Sequence, residues 1–246
     1  MNQIYTMDIT LEDIHVNRFN RLKNSMLLYF AQEAAGYHCK ILGVDWDTLA
    51  ERRLFWALIR THVEVNKLPV LGQTIRIETW PMPTTRSAYP RAMAAYDEEG
   101  QLLFTSTSLW VLMDLDKRTM VLPGKSGVTV EGILRGCEAA APGSLALKEL
   151  SQETQRTVVY SELDRNGHMN NTRYLDWVDD LIPSDFHHAH PVKNITLCYL
   201  SEAREAQNIS LHHGYTESGL FRVDALRTRT DVSDAQERVF SAEIAF

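Results

Sequence analysis

The chain has 246 residues, of which 44% are hydrophobic and 23% are charged, and its formal net charge at pH 7 is −7. This length allows one large domain or two smaller ones, and this composition is typical of a globular protein with a packed core. A nucleic-acid-binding protein would normally be basic, so the charge argues against nucleic acid as a partner. The sequence contains no apolar run of about 18 residues and therefore predicts no membrane span.

The N-terminus and the cysteines both favour a cytoplasmic protein. Residues 1–10 lack a basic segment followed by an apolar stretch, so they do not resemble a secretion signal. Cys39, Cys137 and Cys198 are far apart and odd in number, which predicts neither a disulfide framework nor a zinc site. A protein with this cysteine pattern is expected in the reducing cytoplasm.

The first half of the chain begins with a predicted helix and continues with predicted strands. Apolar residues recur at helical spacing over residues 20–36. Segments with partial period-two alternation follow, bounded by Gly, Pro and acidic turns, and these are strand signals. We predict the strands at 57–65, 72–80, 89–97 and 102–113.

The second half repeats this order. Tyr174, Trp177, Val178 and Leu181 form one apolar helical face, which predicts a helix over about 171–182. Either Asn170 or Asn171 can cap its start, and Pro183 lies just past its end. Strands are then predicted at 194–200, 208–213, 221–231 and 237–246.

The two halves look like degenerate copies of one unit. Each last strand follows an acidic turn, and Leu103-Phe104-Thr105-Ser106 in the first half corresponds to Val239-Phe240-Ser241-Ala242 in the second. A long helix wrapped by an antiparallel sheet, used twice, predicts an α+β fold of two tandem hotdog units. We place them at 1–125 and 155–246, joined by a packed connector at 126–154 with a short helix near 132–140. Another α+β sandwich is the alternative.

Polar residues crowd the segment before the second helix. Asp164, Asn166 and His168 alternate, so an extended loop would place their side chains on one side, near a helix N-terminus. Backbone N–H groups at such an end can hold an oxyanion. The plainer interpretation is a set of turn and capping residues, since Asp, Asn and Gly are common turn formers. Their order makes that interpretation the weaker one.

This segment resembles the D-x-N-x-H-x-N-N signature of acyl-acyl carrier protein thioesterases. The first half also resembles the first hotdog of this family, at Phe55-Trp56-Ala57-Leu58, Leu68-Pro69-Val70-Leu71-Gly72, Glu78-Thr79-Trp80-Pro81 and Ser108-Leu109-Trp110-Val111-Leu112-Met113-Asp114. The resemblance covers nearly the whole chain and is weakest in the connector. It implies a thiolester hydrolase of fatty acid biosynthesis that converts acyl-acyl carrier protein to free fatty acid and carrier protein.

The family carries an acidic residue shortly after a strand of its second half, and Glu202 matches that position. In the repeat, Leu68 is the equivalent residue, and the first helix opens with Arg21 instead of a Gly-His pair. Only the second half is therefore expected to be catalytic. Plant members of the family often have a cysteine directly after the glutamate, but this chain has Ala203, which excludes a cysteine nucleophile there. Cys198 lies in a strand-like run and is interpreted as a small buried hydrophobe.

The resemblance assigns the catalytic residues as Asp164, Asn166, His168 and Glu202. Glu202 is expected to activate water, sharing this task with His168, or His168 alone is the base. A glutamate base requires burial, because a free carboxyl is a weak base at neutral pH. Asn166 would position the water or the carbonyl and Asp164 would orient its neighbours. The backbone N–H groups of Gly167 and His168 would hold the oxyanion.

We expect no cofactor and no metal. The run from His187 to His190 is the one cluster that could mimic a metal site, and it is interpreted as a surface loop. The expected partner is acyl carrier protein, which is acidic and would contact Arg165 or Arg173, and a homodimer is possible. The acyl chain would be enclosed by the first helix and sheet, with Met26, Leu27, Phe30, Trp56, Met93 and Trp110 as candidate walls.

Three other functions are compatible with parts of this pattern. Coenzyme A could replace carrier protein as the acyl bearer. A hotdog dehydratase would also use a histidine and an acid, but it lacks the D-x-N-x-H-x-N-N order. A non-catalytic module that binds acyl thioesters would have no reason to retain Asp164, Asn166, His168 and Glu202 together.

Overall fold

The computed structural model describes residues 3–228 and 235–246. The chain divides into two compact units, Met1–Pro142 and Gly143–Phe246, called here the N-terminal unit and the C-terminal unit. The boundary falls inside the segment predicted as a connector. Within the described ranges, no helix is both long enough and apolar enough to span a membrane.

The N-terminal unit is a long helix with an antiparallel sheet. Its elements are β1 (Tyr5–Thr10), α1 (Asn24–Ile41), α2 (Trp46–Glu51), β2 (Leu54–Val65), β3 (Thr74–Pro81), β4 (Tyr89–Tyr96), β5 (Leu102–Asp114), β6 (Met120–Val121) and α3 (Pro123–Ser126). The strands pair in the order β1-β3-β4-β5-β2, and β6 pairs with β5. The predicted helix and four strands are confirmed within a few residues, whereas β1 and α2 were not predicted.

Helix α1 buries one apolar face against this sheet. Leu27, Phe30 and Ala34 recur at spacings of three and four and are buried, as the helical period requires. The helix contacts β1 and β3. On β4 and β3, Ala92, Ala94 and Trp80 form a separate cluster, which packs against the connector residues that follow α3. Both faces of the sheet are therefore covered.

The helix predicted near 132–140 is wrong. These residues run in an irregular path along the sheet, where the carbonyls of Cys137 and Ala139 accept hydrogen bonds from Thr105 Oγ1 at 3.0 Å and Thr107 Oγ1 at 2.7 Å. Side chains of the sheet thus satisfy backbone groups that a helix would have paired internally. Gly132 is required here, because a Cβ would lie 2.1 Å from the carbonyl group of Met82.

The described residues of the C-terminal unit form a shorter helix and a sheet of five strands. Its elements are β7 (Gln152–Thr157), α4 (Arg173–Asp179), α5 (Ser184–Ala189), β8 (Asn194–Tyr199), β9 (Asn208–Tyr215), β10 (Phe221–Thr228) and β11 (Gln236–Ala245). The antiparallel order is β8-β11-β10-β9-β7. The four predicted strands are confirmed, except that positions 229–231 of the third lie outside the described residues. Strand β7 was not predicted.

Helix α4 begins later than expected because Asn170 forms a turn of its own. The Oδ1 atom of Asn170 accepts hydrogen bonds from the backbone N of Thr172 at 3.0 Å and from Oγ1 of Thr172 at 2.8 Å. This local bonding competes with helical geometry, so the helix starts at Arg173. The histidine run at 187–190, predicted as a loop, lies largely in α5 and at its C-terminal end.

A buried histidine in β9 is expected to make the stability of the C-terminal unit depend on pH. Nε2 of His213 lies 3.1 Å from Oγ1 of Thr154, and its buried Nδ1 has no hydrogen-bond partner among the described residues. Burial lowers the pKa of His213, and the neighbouring His212 lowers it further. Below about pH 6.5, the unfolded state takes up a proton before the folded state does, so the free energy of unfolding falls.

The measurement is the melting temperature of the wild type and of His213→Leu between pH 7.5 and 5.5. The wild type is expected to lose more stability than His213→Leu over this range, since leucine does not titrate. An equal loss in both proteins would show that other groups cause the acid sensitivity.

Candidate active site

The segment from Asp164 to His168 forms a tight turn. The backbone N of Asp164 donates to the carbonyl of His168 at 2.8 Å, and the backbone N of Gly167 donates to the carbonyl of Asp164 at 3.0 Å. Gly167 has a φ of +74°, which a glycine adopts without strain. The turn is followed by the Asn170 turn and by α4, so His168 lies before the helix and not at its first residue.

The carboxylate of Asp164 organises this turn. Its Oδ1 atom accepts from the backbone N of Asn166 at 2.8 Å and of His168 at 3.3 Å, and Oδ2 accepts from Nδ2 of Asn166 at 3.3 Å. The predicted extended loop is wrong, because these bonds close a turn. Asp164 still contacts both neighbours, although it bonds the main chain of His168 and not its imidazole.

His168 and Glu202 come together from different parts of the unit. Nε2 of His168 lies 3.1 Å from Oε2 of Glu202, and the two side chains are 15% and 42% exposed. Arg204 approaches the same carboxylate oxygen, with its Nη2 atom at 3.7 Å. The backbone holds the two segments side by side through the bridge between His168 and Arg204 and through Met169 N, which donates to the carbonyl of Ala203 at 2.8 Å.

Tyr174 of α4 forms the buried side of this site. Burial strongly raises the pKa of its hydroxyl, and the backbone amide of Ala203, bonded to the hydroxyl oxygen, opposes this rise. Its ring packs edge-on against Phe240, at 4.8 Å between centroids. The sequence pattern places Tyr174 only on the apolar face of a helix. Its spacing gave no sign that the hydroxyl points to the segment carrying Glu202.

The backbone amides proposed for the oxyanion have acceptors in this structure. The amide of Gly167 donates to the carbonyl of Asp164 and that of His168 to its carboxylate. They can reach a developing oxyanion only if these bonds open. The side-chain amide of Asn166 is held by a single long bond to Asp164 and is exposed, so it can reorient more easily.

No cysteine follows Glu202, because the chain has Ala203 there. Ala203 is fully buried, and Cys198, which lies in β8, is buried as predicted, with its Sγ atom 3.5 Å from the carbonyl of Gly143.

The two arginines expected to contact carrier protein, Arg165 and Arg173, are exposed, and Arg173 also pairs with Asp176 at 3.1 Å. Among the described residues, no cluster of His, Cys, Asp and Glu could hold a metal ion.

The N-terminal unit contains a counterpart of the Asp164 turn with different side chains. Oδ1 of Asn17 accepts from the backbone N of Phe19 at 2.9 Å and of Arg21 at 3.3 Å, the pattern made by Asp164. The backbone N of Asn17 donates to the carbonyl of Arg21 at 2.8 Å, and Asn20 adopts a φ of +59°. Phe19 and Arg21 thus stand where the other turn has an amide and an imidazole.

The counterpart of Glu202 is Leu68, as the sequence repeat predicted. One isolated bridge joins each turn to a later segment, pairing Arg21 with Val70 in the N-terminal unit and His168 with Arg204 in the C-terminal unit. Counting back two residues from the second member of each bridge gives Leu68 and Glu202. The carboxylate and imidazole that meet in the C-terminal unit are therefore replaced by an apolar and a basic side chain in the N-terminal unit.

Comparison with known proteins identifies both halves. The acyl-ACP thioesterase N-terminal domain model matches residues 3–122, and the acyl-ACP thioesterase C-terminal domain model matches residues 145–241. The chain is 23% identical to a palmitoyl-acyl carrier protein thioesterase of Gossypium hirsutum over 214 residues, 81% of this chain and 52% of the relative. It is 29% identical to oleoyl-acyl carrier protein thioesterase 1 of Arabidopsis thaliana over 195 residues, 71% of this chain and 53% of the relative.

The chain spans about half the length of the curated relatives it matches. Solved structures match it over nearly their full length. A crystal structure of an acyl-ACP thioesterase from Bacteroides thetaiotaomicron has a TM-score of 0.89 at 24% identity, covering 100% of this chain and 98% of that one. The 12:0-ACP thioesterase from Umbellularia californica has a TM-score of 0.82 at 21% identity, with coverages of 99% and 97%.

These likenesses confirm the predicted α+β fold of two tandem hotdog units. The two domain models together match most of the chain, and the second includes every residue of the candidate site. This chain belongs to the acyl-ACP thioesterase family.

Proposed function

We propose that this chain hydrolyses the thioester of fatty acyl-acyl carrier protein and releases a free fatty acid and carrier protein. The observation that carries the proposal is the 3.1 Å contact between Nε2 of His168 and Oε2 of Glu202. It lies beside the turn of Asp164 and Asn166, in a chain of a family whose curated relatives are named for this activity. Arg165 and Arg173 are the proposed contacts of the acidic carrier protein.

The chemistry needs a base for water and a donor for the carbonyl oxygen. The base removes a proton from water while the water oxygen bonds to the thioester carbon, and the carbonyl oxygen becomes negative. The carbon–sulfur bond then breaks, and the protonated base gives its proton to the departing thiolate. The products are a carboxylic acid and a thiol, and no other reactant is needed.

We propose that His168 takes the proton and that Glu202 orients it. A glutamate base requires burial, and the side chain of Glu202 is 42% exposed. A histidine has an ordinary pKa of about 6.5 and acts as a base near neutral pH without burial. A carboxylate that accepts a hydrogen bond from Nε2 keeps the proton of the neutral imidazole there, which leaves Nδ1 as the basic nitrogen.

The remaining groups of the turn have supporting roles in this proposal. Asn166 donates its side-chain amide to the carbonyl oxygen, and Asp164 holds Asn166 and the main chain of His168 in place. The amides of Gly167 and His168 add to the oxyanion site if their bonds to Asp164 open during the reaction.

We propose that the two units have different roles in the reaction. We propose that residues 1–125 bind the acyl chain, that residues 126–154, which contain the boundary between the two units, are the connector, and that residues 155–246 carry out catalysis. The apolar interior under α1, which includes the buried Leu27, Phe30 and Met93, supports this assignment for the first unit. A cytoplasmic location fits the three free cysteines, and a homodimer stays a prediction for sedimentation analysis.

The test is release of thiol from matched acyl-acyl carrier protein and acyl-CoA substrates of several chain lengths, with the products identified by mass. Free fatty acid, formed faster from the carrier-protein substrate, is the expected result. Faster turnover of acyl-CoA would assign the alternative acyl bearer. An enoyl product would indicate a dehydratase, and binding without thiol release would indicate a non-catalytic module.

A further inference from the structure

The segment that carries Glu202 leaves its sheet at a bulge in the neighbouring strand. In the pairing of β10 with β11, Val239 is the extra residue that has no partner. Its carbonyl oxygen accepts hydrogen bonds from the backbone amides of both Leu200, at 2.9 Å, and Ser201, at 3.1 Å. This double hydrogen bond ends β8 and begins the turn at the residue before Glu202.

The N-terminal unit makes the same turn around Leu68. Leu103 is the extra residue in the pairing of β4 with β5. Its carbonyl oxygen accepts hydrogen bonds from the backbone amides of Asn66 at 2.9 Å and Lys67 at 3.0 Å. The two turns therefore begin with the same backbone geometry, although one presents a carboxylate and the other an apolar side chain.

Both turns also close in the same way, on a glutamine. Oε1 of Gln207 accepts from the backbone N of Arg204 at 2.9 Å, and Oε1 of Gln73 accepts from the backbone N of Val70 at 3.3 Å. The backbone N of each glutamine donates back to the carbonyl of the same partner. The bulge that begins each turn and the glutamine that closes it are therefore present in both units.

An arginine of β10 adds contacts to the Glu202 turn. Nη1 of Arg227 donates to the main-chain oxygen of Glu202 at 2.6 Å and to Oε1 of Gln207 at 2.7 Å. Its Nε and Nη2 atoms donate to Oε2 of Glu237 at 2.9 Å and 2.7 Å. The side chain is 16% exposed, so these charge-assisted bonds are largely shielded from solvent.

The register of the strands gives the counterpart of this arginine. Arg227 pairs with Glu237 just beyond the bulge, and the same offset in the N-terminal unit leads to Asp97 and Gln101. Asp97 bonds within its own hairpin, since its Oδ1 atom accepts from the backbone N of Gln101 at 2.7 Å. The Leu68 turn forms although this short acidic side chain stands at the position equivalent to Arg227. Formation of the turn therefore does not require an arginine there.

We propose that Arg227 is a positioning residue that holds the peptide of Glu202 so that its carboxylate meets His168. This inference rests on the proposed function of the His168–Glu202 pair. Glu237 fixes the planar guanidinium from one side, and the guanidinium fixes the Glu202 carbonyl from the other. An ångström of displacement at an orienting carboxylate is enough to lower turnover strongly.

The test is a double-mutant cycle of Arg227→Met with Glu202→Gln, measured as kcat and KM for acyl-acyl carrier protein. In the wild-type background, Arg227→Met is expected to lower kcat about 10-fold or more and to leave KM within about twofold, because Arg227 acts only through Glu202. In the Glu202→Gln background, the same change is expected to cost less than about twofold in kcat. Arg227→Lys, which keeps the charge and one donor group, is expected to retain part of the lost rate.

Arg238→Met is the matched control. Nη1 of Arg238 donates to the carbonyl of Leu145 at 2.9 Å, so its side chain holds the connector and not the Glu202 turn. Its kcat is expected to stay within about twofold of the wild type. Two results would overturn the proposal: an equal loss of kcat from Arg227→Met in both backgrounds, or a lower kcat/KM that comes from a higher KM. A general structural role would act independently of Glu202.

A readout without turnover separates this inference from the proposed function. The imidazole of His168, followed by NMR, is expected to titrate at a different pH in Arg227→Met than in the wild type or in Arg238→Met. An unchanged titration would overturn the role of Arg227 even if the enzyme is active. A changed titration would support it even if neither acyl-acyl carrier protein nor acyl-CoA is hydrolysed, in which case only the proposed function fails.

Discussion

Alanine at His168 or at Glu202 is expected to lower kcat for acyl-acyl carrier protein hydrolysis about 100-fold or more, which is the usual contribution of a general acid–base group. Nε2 of His168 and Oε2 of Glu202 are 3.1 Å apart, so either variant removes the contact between the two side chains. In the proposed mechanism, this contact is what keeps the imidazole in the tautomer that can accept a proton from water.

The double variant separates a pair that acts as a unit from two independent groups. If Glu202 acts through His168, the protein with alanine at both positions is expected to have nearly the kcat of His168→Ala alone. Independent groups would give losses that multiply. Glu202→Gln keeps a hydrogen-bond acceptor but removes the charge, so its kcat is expected to lie between those of the wild type and Glu202→Ala.

Two controls lie in the same unit. Glu205→Ala removes an exposed carboxylate from the turn that carries Glu202, and His190→Ala removes an exposed imidazole at the end of α5. Both are expected to keep kcat within about twofold, in line with the small effects of surface substitutions. Near-wild-type activity in a folded Glu202→Ala protein would remove Glu202 from the mechanism, and the same result for His168→Ala would remove the imidazole.

The repeat could be predicted from the sequence because hydrophobic periodicity is local. The alternation of Ile75 and Ile77 with charged neighbours identified β3, and the apolar spacing around Phe30 identified α1. The equivalence of Leu68 and Glu202 also came from the sequence, since the bulges and turns of the two units keep the same spacing. Elements whose neighbours lie far away in the sequence, such as β1 and β7, were missed because they carry only weak patterns of their own.

The geometry of the site could not be predicted in the same way. Asp164 was expected in an extended loop, and its bonds to two backbone amides make a turn instead. Arg227 lies 25 residues after Glu202 and has no motif of its own. Its contact with the Glu202 carbonyl follows from strand register and from the bulge at Val239, and these depend on pairing across the sheet.

A second large effect is expected in the sheet of the C-terminal unit, where Asp224 and Arg222 form a buried ion pair. Nη2 and Nε of Arg222 donate to the two oxygens of Asp224 at 2.8 Å and 3.1 Å, and the side chains are 1% and 0% exposed. Ser241 also donates to Asp224. The pair holds the connector, because Arg222 donates to the carbonyl of Ala146 at 2.7 Å and Asp224 accepts from the backbone N of Lys148 at 3.1 Å.

Asp224→Ala is expected to lower the free energy of unfolding by about 3–5 kcal/mol, since it leaves the buried guanidinium of Arg222 without its main counter-charge. In a chain of this size, such a loss corresponds to a melting temperature lower by roughly 10 °C. Urea unfolding of the wild type and the variant measures it. Arg173→Ala, which removes an exposed pair with Asp176, is the comparison and is expected to cost no more than about 1 kcal/mol.

The double variant Arg222→Met/Asp224→Leu is expected to recover most of the stability that Asp224→Ala loses, because apolar side chains of similar size avoid the cost of burying charges. The N-terminal unit already shows such a solution, with Ala92 and Ala94 packed beside Trp80 at the corresponding strand positions. If the double variant is as unstable as Asp224→Ala, the bonds of Arg222 and Asp224 to the connector contribute more than the ion pair itself. The stability of this sheet would then depend mainly on how the segment of Ala146 and Lys148 is held against it.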